Sequence, residues 1–115
     1  MQASVALSAM SHSPTPDEQL AARIVGAWQF LRCESPLEIE PGTRMEFDSA
    51  ARLVYVIPTA TGPLQVTLGW RVEDGLLHTV HQDGSNPVQV RTDLGAEDVL
   101  TFDFGGPRAW YVRLV

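Results

Sequence analysis

Few side chains of this 115-residue chain have the chemistry of a catalytic or metal-binding group. His78 and His81 are three residues apart in one strand-like run, so they point to opposite faces of a strand. They cannot bind a metal ion as a same-strand pair. The inward one is either a ligand contact, a general base or an ordinary histidine without such a role. The single cysteine, Cys33, excludes an intrachain disulfide and a cysteine-based zinc site, and we expect no metal and no cofactor.

Three further residues could contact a small molecule. Arg32 can bind a carboxylate or phosphate through two parallel hydrogen bonds, or form an ion pair with an acid on a neighbouring strand such as Glu46. Tyr55 offers a hydroxyl unless it is a core or boundary residue, and Trp70 offers an aromatic surface. We assign no catalytic residue. The candidate ligand contacts are Arg32, Tyr55, Trp70, His78 and His81.

The sequence motifs of common enzyme classes are missing. There is no G-x-S-x-G, no G-x-x-x-x-G-K, no H-E-x-x-H and no G-x-G-x-x-G. The acidic residues are scattered, and no two of them stand out as an acid/base pair. An enzyme is therefore not favoured. The enzymatic alternative is a small cyclase or isomerase in which the inward histidine or Tyr55 transfers a proton.

Composition and charge exclude several kinds of partner. The formal net charge is −6, and all eight basic residues are arginines. Such a surface repels phosphate backbones and anionic lipid headgroups, so nucleic acid and membrane surfaces are not expected partners. No apolar run approaches the roughly 20 residues of a membrane span. Residues 1–10 lack the basic start of a signal peptide, so we expect a cytoplasmic protein.

The elements that must position these side chains begin with a short helix. Residues 1–14 carry no periodic pattern and are expected to be disordered or extended, followed by one domain over 15–115. Thr15 can cap a helix with Pro16 at its first position, and Glu18 completes a capping box. From Gly26 the apolar residues recur every second position, which predicts strands. Eight runs follow: 26–34, 43–48, 51–57, 64–73, 76–82, 87–92, 98–104 and 108–115.

Short turns between the eight runs predict a meander of antiparallel neighbours. Pairing the first run with the last removes the two bare edges of such a sheet. The predicted fold is all-β, an eight-stranded antiparallel up-and-down barrel with a short N-terminal helix. Alternation places large side chains inside, which favours a mostly filled interior. These are Trp28, Phe30, Leu53, Tyr55, Leu64, Val66, Leu68, Trp70, Leu100, Phe102 and either Trp110 or Tyr111.

The Gly26-x-Trp28 that opens the first run after a short helix, together with Arg113 in the last run, resembles the lipocalin-like (calycin) group, in particular its compact bacterial members. The resemblance implies that Trp28 lies at the closed end of the barrel, with Arg113 packed across it. Antiparallel pairing of the two runs agrees, and an arginine over an indole is a favourable cation–π contact. Gly26, Trp28 and Arg113 are therefore expected to close the barrel.

The other end of the barrel is where a ligand is expected. The longest loop, about 35–42, lies there, and Leu37 and Ile39 could fold over the mouth while Glu38 and Glu40 stay solvated. The resemblance implies a non-enzymatic domain that binds a small apolar or anionic-apolar molecule at this mouth. The alternative is a structural or protein-interaction domain with a filled barrel. Outward apolar residues favour a homodimer in that case, namely Leu31, Val54 and Val56.

Overall fold

A computed structural model describes residues 14–95 and 97–114, and within them one helix precedes eight strands. The helix is α1 (Pro16–Ile24). The strands are β1 (Gly26–Cys33), β2 (Arg44–Phe47), β3 (Arg52–Ile57), β4 (Leu64–Glu73), β5 (Leu76–His81), β6 (Val88–Leu94), β7 (Val99–Asp103) and β8 (Arg108–Arg113). Apart from Pro14, the expected N-terminal segment 1–14 lies outside the described residues, as does Val115 at the end of the last predicted run.

The predicted capping box forms at the start of α1. The backbone N–H of Glu18 donates to Thr15 Oγ1 at 3.1 Å, and the Glu18 carboxylate accepts from the Thr15 N–H at 2.9 Å. The carboxylate of Asp17 accepts hydrogen bonds from the backbone N–H groups of Asp74 and Gly75, at 2.7 and 2.9 Å. These bonds fix the helix on the β4–β5 turn, which is one of the turns at the closed end of the barrel.

No helix in the described part of the chain has the length and hydrophobicity of a membrane-spanning segment.

The eight strands form one closed barrel in sequence order, and each strand is antiparallel to the next. Closure comes from β1 and β8, in which Trp28 lies opposite Arg113 and Phe30 lies opposite Tyr111. Every strand therefore has two hydrogen-bonded neighbours, and the predicted eight-stranded up-and-down barrel with a short N-terminal helix is confirmed.

Large apolar side chains fill the closed half of the barrel. The indole of Trp28 is fully buried, as are Met45, Leu53 and Leu100 from three other strands. Phe47 and Trp70 meet edge to face with their ring centroids 5.2 Å apart. Of the two aromatic residues that alternation left open, Tyr111 faces the interior and Trp110 the outer surface. The interior near the helix is thus a packed core.

Candidate functional site

The closed end of the barrel is sealed by the contact between the first and last strands. The guanidinium carbon of Arg113 lies 4.3 Å from the ring centroid of Trp28. The same guanidinium donates to the carbonyl oxygens of Val25 at 3.1 Å and Arg23 at 2.6 Å. The Trp28 indole N–H donates to the carbonyl of Ile24 at 2.9 Å. Both terminal nitrogens of the guanidinium and the indole N–H thus donate to backbone carbonyls of residues 23–25, where α1 ends and β1 begins.

Gly26 is the residue that makes room for the guanidinium. Its φ of +135° is one that residues with a side chain rarely adopt, and a Cβ at this position would lie 2.8 Å from Arg113 Nη1. The carboxylate of Asp98 lies 3.6 Å from Arg113 Nε on the solvent side. The structure thus brings Gly26, Trp28 and Arg113 together, at the end opposite to the long loops.

The open end presents apolar side chains to solvent. Leu64 is 52% exposed, Val88 46% and Phe104 43%. Leu64 is on the same face of β4 as the buried Leu68, and Val88 pairs with the buried Thr79, so both occupy inward positions at the rim. The ring of Phe104 contacts that of the buried Phe102, with centroids 6.4 Å apart. The open end of the barrel therefore has an apolar rim, of which Val88 and Phe104 also border depressions on the outer face.

The loop between β1 and β2 lies beside this rim. Leu37 and Ile39 pack partly buried against the core, and Glu38 and Glu40 are exposed. The thiol of Cys33, at the end of β1, contacts the Leu37 carbonyl oxygen, with sulfur and oxygen 3.4 Å apart. The loop thus directs its apolar side chains inward and its carboxylates to solvent.

Two tyrosines face the lumen below the rim. Tyr55 lies on β3 between Met45 and Val66 of the neighbouring strands, and burial raises its pKa to about 12. Tyr111 is only 3% exposed, and its ring meets Phe30 and Phe102 edge to face, with centroids 5.6 and 5.5 Å away. Burial, followed by the neighbouring Tyr55 and Cys33, raises the pKa of Tyr111 as well. Both side chains are neutral phenols at physiological pH.

The two histidines point in opposite directions. His81 pairs with the inward Leu68, and it lies at the open end of β5. His78 pairs with Arg71 and faces outward, with Nε2 4.0 Å from a carboxylate oxygen of Glu73. It lines a depression of about 400 Å³ on the outer face of the barrel. Only His81 therefore borders the mouth.

Strict alternation along β1 predicts Arg32 on the inward face with Trp28, and this prediction is wrong. A β-bulge at Leu31 interrupts the pairing of β1 with β8, so Arg32 lies opposite Trp110 on the outer surface. Its guanidinium carbon is 3.7 Å from the centroid of the Trp110 ring. The extra residue shifts the alternation by one position, and Cys33 then lies opposite the buried Ala109.

Trp70 is inward but lies far from the mouth, so it does not line the rim, and its contact with a ligand stays a prediction. It follows Leu64 by six residues, which corresponds to about 20 Å along a strand. Its indole N–H donates to the carbonyl of Arg52 at the closed end, at 3.2 Å. Alternation identified its face correctly, but its height in the barrel makes it part of the packed core.

The rim carries negative charge. Glu34 is neutralised by Arg108, with N–O distances of 3.2 and 3.3 Å, and hydrogen bonding to this guanidinium lowers the Glu34 pKa. Asp103 accepts hydrogen bonds from the N–H groups of Gly106 and Gly105, which lower its pKa. Neither Glu38 nor Glu40 has an ion-pair partner among the described residues. No cluster of potential metal ligands occurs within 14–95 and 97–114.

Comparison with known proteins supports the fold. No protein-family model matches the sequence, and no curated protein does. A lipocalin-like protein from Bacteroides uniformis ATCC 8492 superposes with a TM-score of 0.67 at 8% identity, over 80% of this chain and 99% of that one. An uncharacterized protein from Bacteroides eggerthii DSM 20697 gives 0.62 at 8% identity, over 78% and 98%. With a closed eight-stranded meander sealed by Trp28 and Arg113, the chain has the fold of a lipocalin-like barrel.

Proposed function

We propose that this protein is a non-enzymatic binding domain that takes a small, partly apolar molecule at the open end of its barrel. The observation that carries the proposal is the apolar rim formed by Leu64, Val88 and Phe104. Exposed apolar side chains that surround a concave opening are typical of ligand sites, because a ligand shields them from water.

The position of the packed core sets the depth of the proposed site. Trp28, Met45 and Leu53 fill the closed half, so a ligand occupies the upper half, below the rim. Leu37 and Ile39 of the β1–β2 loop lie beside this space and contribute further apolar surface. The site is therefore shallow, and it suits one small molecule.

The distribution of exposed apolar residues favours this function over a protein-interaction domain. Among the large hydrophobic residues that are exposed in the described part of the chain, three lie at the open ends of their strands, and the fourth, Leu31, lies in the bulge of β1. One isolated leucine is a poor nucleus for a dimer interface, whereas the rim groups three apolar residues around one opening.

Binding of 1,6-diphenyl-1,3,5-hexatriene, a neutral apolar dye that fluoresces when it leaves water, tests the proposal. We expect the native protein to bind it, and Leu64→Ser and Val88→Ser each to weaken binding about 3- to 10-fold through lost apolar contact. The matched control is Leu31→Ser, because Leu31 has the same exposed fraction as Leu64, 52%. No binding to the native protein, or an equal loss with the control, would refute the proposal.

A further inference from the structure

We infer that the ligand is a neutral molecule whose apolar body carries a hydrogen-bond acceptor, such as a ketone or ester carbonyl, and that Tyr111 and Tyr55 donate to it. This inference rests on the proposed function and assigns the chemical class of the ligand at the same mouth. It depends on three observations, which concern the partners of the two hydroxyls, their protonation and the charge around them.

The hydroxyls of the two tyrosines have no hydrogen-bond partner among the described residues. Tyr111 is only 3% exposed, yet its oxygen makes no hydrogen bond, and the oxygen of the partly buried Tyr55 makes none either. No side-chain oxygen that is shut off from solvent lacks a partner among the described residues. The two phenol oxygens must therefore border space that a water molecule can enter. Each of these hydroxyls is thus a donor that either water or a ligand can satisfy.

Both hydroxyls can act as donors. Burial raises the pKa of Tyr55 to about 12 and also raises that of Tyr111, so each keeps its proton at any physiological pH. Both tyrosines occupy inward positions, on β3 and β8, and Tyr55 contributes to the raised pKa of Tyr111. A carbonyl oxygen has two lone pairs and can accept from both hydroxyls at once.

The charges around the mouth favour a neutral ligand, although His81, a group that can pair with an anion, also borders it. Arg32, which could have neutralised an anion, lies on the outer surface over Trp110. Glu38 and Glu40 are exposed beside the mouth and repel a carboxylate or phosphate. No aspartate or glutamate takes an inward position on the described strands, so a cation has no counter-charge inside. A neutral ligand remains, and a neutral acceptor is the class for which both phenols serve as donors.

The test compares two neutral dyes that differ in one propionyl group, which contains the only carbonyl. The first is 6-propionyl-2-(dimethylamino)naphthalene, and the second is 2-(dimethylamino)naphthalene, which lacks the propionyl group. We expect Tyr111→Phe and Tyr55→Phe each to weaken binding of the ketone about 2- to 10-fold and to shift the emission of the bound dye to shorter wavelength. Binding of the dye without a carbonyl should stay unchanged.

Controls separate the hydroxyls from the fold. Thr101→Val removes a hydroxyl on the outer face, opposite Trp110, and should affect neither dye. Urea unfolding of each variant shows whether the barrel is intact. A matched pair of competitors tests charge: methyl decanoate should displace the ketone dye at a lower concentration than decanoate. Stronger competition by decanoate would overturn the assignment of a neutral ligand.

The outcomes distinguish this inference from the proposed function. If the native protein binds both dyes, Leu64→Ser weakens both, and neither tyrosine variant changes the preference for the ketone, the proposed function stands and the inference is refuted. If the tyrosine variants weaken both dyes equally, the phenols act through packing, and the inference is likewise refuted. If the native protein binds neither dye, both the function and the inference fail.

Discussion

Replacement of Arg113 by methionine tests whether the contact between the first and last strands stabilises the barrel. Methionine keeps an unbranched apolar side chain over Trp28 but removes the guanidinium. The change deletes the hydrogen bonds to the carbonyl oxygens of Val25 and Arg23, as well as the cation–π contact. It leaves two carbonyl groups at the helix–strand junction without these donors.

The expected cost follows from these contacts. A hydrogen bond to a charged donor contributes about 1.5–3 kcal/mol when buried, and a cation–π contact contributes about 0.5–2 kcal/mol. Arg113 is partly exposed, so water replaces part of what is lost. We therefore expect Arg113→Met to lower the free energy of unfolding by about 3 kcal/mol, a large part of the roughly 5–15 kcal/mol of a typical domain.

Urea unfolding followed by circular dichroism and by tryptophan fluorescence measures this loss. At an m-value of about 1.5 kcal/mol/M, the unfolding midpoint should fall by about 2 M. Arg113→Lys keeps the positive charge but lacks the fork that reaches two carbonyls, so its loss should be intermediate. The matched control is Arg71→Met, which removes an exposed guanidinium 3.5 Å from Glu73 and should cost under about 1 kcal/mol.

The Arg71→Met variant separates a specific role of the Arg113 guanidinium from the general effect of losing a surface charge. If Arg113→Met and Arg71→Met lower the midpoint equally, the guanidinium over Trp28 has no particular role in stability. The contact between Arg113 and Trp28 would then not stabilise the pairing of β1 with β8.

Two further predictions concern Gly26 and the tyrosines. Gly26→Ala should cost more stability than Gly62→Ala in the same unfolding assay; both glycines have positive φ, but only at Gly26 would a Cβ meet Arg113. Equal costs would show that the guanidinium moves aside freely. Because burial raises the pKa of Tyr55 from 10.0 to about 12, its contribution to stability is complete below pH 10 and is lost as the pH rises to about 12. Absorbance at 295 nm should show the phenolate forming above pH 10 in the folded protein, and Tyr55→Phe should reduce this late signal. If the absorbance at 295 nm instead rises fully with a midpoint near pH 10 while the protein is still folded, the burial of both phenols would be contradicted.

The fold was predictable because its determinants are local. The capping box at Thr15 and Glu18 satisfies helix N–H groups within one turn, so sequence alone identifies it. Asp74-Gly75 has positive φ at both positions, which is the conformation that a tight hairpin requires of these two residues. Antiparallel pairing then places the start of β1 beside the end of β8, which brings Trp28 to Arg113.

The candidate site was less predictable because it depends on contacts between strands. The residues Phe30-Leu31-Arg32 contain no glycine, so the sequence gives no sign of a bulge. The bulge becomes visible only in the pairing of β1 with β8, where Arg32 packs on Trp110 and Cys33 lies opposite Ala109. The alternation of apolar residues predicts which face of β4 carries Trp70. It does not predict the distance of Trp70 from the open end, because that distance depends on the position of the rim. For Tyr111 the signal was present: it lies two residues from Arg113, so an inward Arg113 requires an inward Tyr111.

The junction of the first and last strands also affects how the protein is made. Arg113 bonds to Val25, a residue 88 positions earlier in the chain. At a translation rate of about 5–20 residues per second, β1 waits on the order of ten seconds for this partner. During that time the nascent sheet has open edges that can pair with other chains. The time during which these edges can pair with other chains is therefore set by the rate of translation and not by the rate of folding.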